Sequence, residues 1–88
     1  MLRFRYNFKY GEMMQSKEFV GIRDVVKTTP NGGKVTVAFG NIITEDNQKF
    51  ESIGIQIEDK NDDIVAQFAM LPDTFGTLLE AIKELYTI

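Results

Sequence analysis

Over residues 2–10 apolar and polar positions alternate without a break, with Leu2, Phe4, Tyr6, Phe8 and Tyr10 on one side and Arg3, Arg5, Asn7 and Lys9 on the other. A sustained period of two, rich in aromatics and closed by Gly11, predicts a strand with one apolar face. Residues 19–27 predict a second strand, with Val20, Ile22 and Val26 on one side and Met13 and Met14 left in the connection before it. The run Thr28-Thr29-Pro30-Asn31-Gly32-Gly33 then predicts a hairpin turn, because proline fixes φ and Asn-Gly-Gly accepts positive φ. Residues 34–44 follow as a third strand that groups Val35, Val37 and Phe39, with Gly40 marking a bulge.

Beyond the turn Glu45-Asp46-Asn47-Gln48, residues 50–58 place Ile53, Ile55 and Ile57 on a single face. A polar loop at 59–63 leads to residues 64–71, which are apolar on both faces, as in a strand covered on both sides. A helix is predicted from Pro72 to Tyr86: proline is tolerated at the first helical position, and Asp73 suits the positive end of the helix dipole. Phe75, Leu78, Leu79, Ile82, Leu85 and Tyr86 share one stripe, and Phe75, Leu79 and Ile82 are expected to pack it on the sheet.

Short turns between successive strands imply antiparallel neighbours. The predicted fold is therefore α+β, a five-stranded antiparallel meander followed by one C-terminal helix, in a single domain over residues 1–88. Five strands span roughly 20 Å, whereas a helix is about 10 Å across. Either the sheet curls into a partial barrel, or a second copy supplies the missing cover. A homodimer is expected, with Leu78 and Leu85 as candidate contacts on the helix, or with an edge strand meeting its partner.

Composition narrows the functional classes. Hydrophobic residues make up 43% and charged residues 26%, which argues against disorder. Cysteine is absent, so neither a disulfide framework nor a thiolate metal site is expected, and a cytoplasmic setting fits. The alternating N-terminus does not read as a signal peptide, and no run approaches the ~18 apolar residues of a membrane span. Net charge is −3, unevenly spread: residues 1–34 carry seven basic and three acidic groups, residues 35–88 three basic and ten acidic. Such asymmetry can guide anionic partners to one surface, or pair two copies head to tail.

The missing histidine removes the commonest general base, and with cysteine also missing most transition-metal sites go too. No phosphate loop, dinucleotide fingerprint or nucleophile elbow is present, so an enzyme is not expected and no cofactor is implied. Asp59, Asn61 and Asp63 alternate as in a calcium loop, but Ile64 stands where the sharp-turn glycine belongs and Met70 where the bidentate glutamate belongs. A hairpin tip is the better reading. Arg3, Arg5 and Lys9, extended by Arg23 and Lys17, form a basic stripe suited to a phosphate backbone, although basic residues on an edge strand also discourage aggregation.

Four segments, Phe19-Val20-Gly21-Ile22-Arg23-Asp24, Gly33-Lys34-Val35-Thr36-Val37, Ile53-Gly54-Ile55, and Pro72-Asp73 with Phe75, together resemble one family. These are the positive transcriptional coactivator-like proteins. The resemblance implies a sheet with a C-terminal helix, dimerisation through helices and single-stranded DNA on the sheet, with Arg23 and Lys34 as contacts. Ala38-Phe39-Gly40-Asn41 lacks the family's arginine, and residues 64–70 stand between the Gly-Ile strand and the helix. The expectation is a non-enzymatic binding module acting by protein–protein association, as a regulator, inhibitor or accessory subunit. Its alternative is single-stranded nucleic-acid binding through Arg3, Arg5, Lys9, Arg23 and Lys34.

Overall fold

The computed structural model describes the backbone of residues 1–10 and 13–87, and side chains at 1–7 and 16–87. Its elements are β1 (Arg3–Tyr10), β2 (Met13–Thr28), β3 (Lys34–Ile43), β4 (Lys49–Glu58), β5 (Ile64–Met70) and α1 (Pro72–Tyr86). Each strand pairs antiparallel with the next, giving the order β1-β2-β3-β4-β5, and the sheet is nearly closed on itself. This is the predicted α+β meander with its C-terminal helix. Met13 and Met14 belong to β2, opposite Tyr10 and Lys9, rather than to the preceding connection.

Three hairpin turns share one design. Thr29, Thr44 and Asp59 each open a five-residue loop, and a side-chain oxygen of each accepts the backbone N–H of the fifth residue at 3.0–3.1 Å. The fourth residue takes positive φ in each: Gly32 at 92°, Asn47 at 64° and Asp62 at 65°. Asn and Asp tolerate that conformation because their short side chains bond locally. The carboxylate of Asp59 also accepts the Asn61 N–H at 2.8 Å, so the calcium-like spacing is used up in folding the turn.

The two faces of the sheet are built differently. The inner face carries Phe4 and Tyr6 from β1 with Leu2 just before it, Phe19 from β2, Ala38 and Ile42 from β3, and Ser52 and Gly54 from β4. Phe19 is fully buried there and stacks on Phe4 with ring centroids 5.4 Å apart. Curling leaves no room for bulk around that ring: a Cβ on Gly54 would lie 2.5 Å from it. At the tightest crossing, a Cβ on Gly40 would come within 2.0 Å of the Val20 carbonyl oxygen. The bulge expected at Gly40 lies on the facing strand, where Ile22 is inserted between Gly21 and Arg23 and stands exposed. That insertion also breaks the predicted grouping of Val20, Ile22 and Val26.

Most of the branched residues of β3 and β4 point the other way. Val35, Val37 and Phe39 share the outer face with Ile53, Ile55 and Ile57, and of that face only Ile55 is buried among the described residues. α1 meets the sheet at β4. Its Phe75 is half-buried but is not packed on the Phe19 cluster, so the helix lies outside the curl. The expected packing by Leu79 and Ile82 is partial, since they keep 42% and 39% of their surface exposed. A straight helix on a convex sheet touches it along about one strand. β5 has the expected cover only in part: Ala69 packs against the core, but Ile64 and Val65 at its start are both more than half exposed.

Candidate interaction surfaces

The predicted basic stripe is divided by the fold. Arg3 and Arg5 point outward from β1 across from Glu18 on β2, and both bond its carboxylate: Arg3 through Nε to Oε1, Arg5 through Nη2 to Oε2 at 3.5 Å. The Arg3 hydrogen bond, aided by the charges of Arg3 and Arg5, holds the Glu18 carboxyl below its ordinary range. Register puts Lys17 with Tyr6 on the inner face, away from Arg3 and Arg5. Lys34 stands at the far end of the sheet, its ammonium 3.4 Å from Asp62. Arg23 faces Phe39 across β2 and β3, on the part of β2 that runs beyond its pairing with β1. The side chain of Lys9 lies outside the described residues. The four of these predicted nucleic-acid residues whose side chains are described thus fall into three places.

The apolar surfaces are more continuous. Phe39, on the strand beside the one that α1 covers, and Val25, one strand further, lie on the outer sheet and are 38% and 57% exposed. Leu78 is 38% exposed and Leu85 73%, so both predicted helix contacts reach solvent along with the stripe between them. Sequence periodicity found this stripe but assigned its packing to the sheet. What periodicity missed is that the apolar face of β3 and β4 is also an outer one. The signal was present in Ala38, Gly40, Ser52 and Gly54, small residues at alternate positions that suit the inside of a tight curl.

No cluster of three or more His, Cys, Asp or Glu able to hold a metal occurs among the described residues. The hollows are shallow; the most apolar, about 350 Å³, opens between β1 and β5 against Tyr6, Phe50, Ala69 and Leu71. Among the described residues no helix is long and apolar enough to cross a membrane. No protein-family model, curated protein or solved structure matches this chain, so the coactivator resemblance rests on its short motifs alone.

Proposed function

We propose that this chain is a non-enzymatic binding module that acts by protein–protein association in the cytoplasm, with a second copy of itself as first partner. Surface area carries the reading. A folded monomer of 10.0 kDa should expose about 5,200 Å², whereas this chain exposes 6659 Å². The surplus, about 1,400 Å², exceeds the roughly 800 Å² that one partner contributes to a standard interface. Compactness agrees: the radius of gyration is 14.3 Å against about 12 Å for a compact chain of this length. The exposed large hydrophobics include the helix stripe and residues of the outer sheet, and soluble monomers rarely leave such patches wet. A dimeric platform of this kind suits a regulator, inhibitor or accessory subunit. Light scattering across micromolar concentrations tests the reading: a dimer is expected, and a mass of 10.0 kDa throughout overturns it.

Single-stranded nucleic acid is the second reading, and one pair of residues favours it. Arg23 and the exposed Phe39 lie opposite each other, a cation beside an aromatic on which a base can stack. Against it, Glu18 engages Arg3 and Arg5, and Asp62 engages Lys34. Fluorescence anisotropy with labelled single-stranded oligonucleotides at low salt decides the matter. No change would remove the reading; a signal weakened by Arg23→Ala and by Phe39→Ala would sustain it.

A further inference from the structure

We infer that two copies join edge to edge through β5, antiparallel across a two-fold axis at Phe68. The inference rests on the self-association proposed above and names its interface. The two edges of the sheet are not alike. β1 bears Arg3, Arg5 and Lys9 along its length, and charged residues on an edge strand oppose the docking of another strand. β5 bears none: residues 64–71 read Ile-Val-Ala-Gln-Phe-Ala-Met-Leu, without an ionisable side chain or a proline. Its only irregularity is at the start, where Val65 is skipped in the pairing with β4.

The outer backbone edge of β5 has no strand partner among the described residues, since β4 is its only neighbour in the sheet. Along β5, Ile64 and Val65 are 54% and 61% exposed, Phe68 38% and Leu71 49%. A bare, apolar edge of this length is a template for another strand.

A second copy of β5 fits it in a particular way. The regular part of the strand is residues 66–70, whose midpoint is Phe68. An antiparallel pair centred there sets Ala66 against Met70, Gln67 against Ala69, and the two Phe68 rings against each other. Phe68 is 38% exposed in one chain, and directly opposed aromatics are a favourable cross-strand pair. Pairing β5 with β5 uses the same edge twice and closes after two copies. Pairing β5 with the β1 of another copy would propagate into a fibre and would meet the arginines of β1. The axis stands perpendicular to the sheet, so both α1 helices, with their partly exposed Leu78 and Ile82, fall on the same side of the joined sheet.

The chain has no cysteine, which makes the test clean. Directly opposed residues in antiparallel strands have Cα atoms about 4.5–5.5 Å apart, within disulfide reach. Phe68→Cys is therefore expected to oxidise to a covalent dimer at micromolar concentration, while Arg3→Cys and Leu85→Cys remain largely monomeric on denaturing gels. Phe68→Lys, which opposes two like charges at the axis, is expected to raise the dimer dissociation constant at least tenfold, and Phe68→Leu to leave it within a few-fold. Circular dichroism of each variant establishes that it is folded. If the native protein is a dimer but Leu85→Cys crosslinks in place of Phe68→Cys, or neither does, the β5 interface is wrong and self-association stands. If the native protein stays at 10.0 kDa throughout, self-association and this interface fail together.

Discussion

The inner face is organised around one aromatic ring and the residues small enough to sit against it. Phe19 is in van der Waals range of the Gly54 backbone, where a side chain would have to displace the ring. Gly54→Ala is therefore expected to cost about 1–3 kcal/mol of stability, the usual penalty for overfilling a packed core. Chemical denaturation measures it, and a loss below half a kcal/mol would mean that the ring moves aside. Ser52, beside Gly40 on β3, is fully buried and its hydroxyl has no protein hydrogen-bond partner. A desolvated, unpaired hydroxyl opposes folding, so Ser52→Ala is expected to raise stability by about 1 kcal/mol. A lower denaturation midpoint in that variant would show that the hydroxyl is bonded after all. Glu18 belongs to the surface. Because the Arg3 hydrogen bond holds its carboxyl below the ordinary 4.5, the folded state binds this proton less readily than the unfolded chain. The stability it contributes is complete above that ordinary value and is lost as pH falls through the lowered one. Denaturation midpoints at about pH 6 and about pH 3 should converge between wild type and Glu18→Gln on the acid side and differ on the neutral side.

Elements were legible in this sequence where local chemistry alone decides them. The nine-residue alternation of β1, the Asn-Gly-Gly turn and Pro72 at the start of α1 all act within a few residues, and each appears in the fold where it was expected. What was not legible is which face of a strand turns inward. Val35, Val37 and Phe39 form the more apolar face of β3, yet Thr36, Ala38, Gly40 and Ile42 line the core. Periodicity reports that a strand has two unlike faces. It does not report the curvature that gives the tighter side to the smaller residues. The scattering of the basic stripe has the same origin, because the place of Lys17, Arg23 and Lys34 depends on pairing register and on the bulge at Ile22. The likeness of the three turns was missed because Thr-Pro-Asn-Gly-Gly, Thr-Glu-Asp-Asn-Gln and Asp-Lys-Asn-Asp-Asp share roles rather than residues. It yields a further expectation. Only the first has glycine at its positive-φ position; Asp62 holds φ 65° at some cost. Asp62→Gly relieves left-handed strain of roughly 1–2 kcal/mol and loosens the unfolded chain by about half to one, so a net gain of ~0.5–1 kcal/mol is expected. The ion pair it removes is solvent-exposed and contributes little. A loss of stability in thermal denaturation would contradict this account of the turn.

At the scale of the whole molecule, a curled sheet with a small-residue interior has a consequence for its exterior. Many large apolar residues lie outside that interior, and one helix covers a single strand of them. A chain with so few fully buried side chains and an apolar exterior gains from a partner what its own core does not supply. Folding and association should then be coupled, and the coupling is measurable without knowing the interface. For a dimer that unfolds to two separate chains, each tenfold rise in protein concentration adds about 1.4 kcal/mol to the apparent stability of the folded dimer. With a urea m value of about 2 kcal/mol/M for the dimer, the midpoint should climb by roughly 0.7 M per decade of concentration. A monomer whose exposed surface is merely solvated would unfold at one midpoint whatever the concentration. Urea titrations at three concentrations spanning two decades separate these cases, and a midpoint that stays fixed across them removes coupled folding and association from this protein.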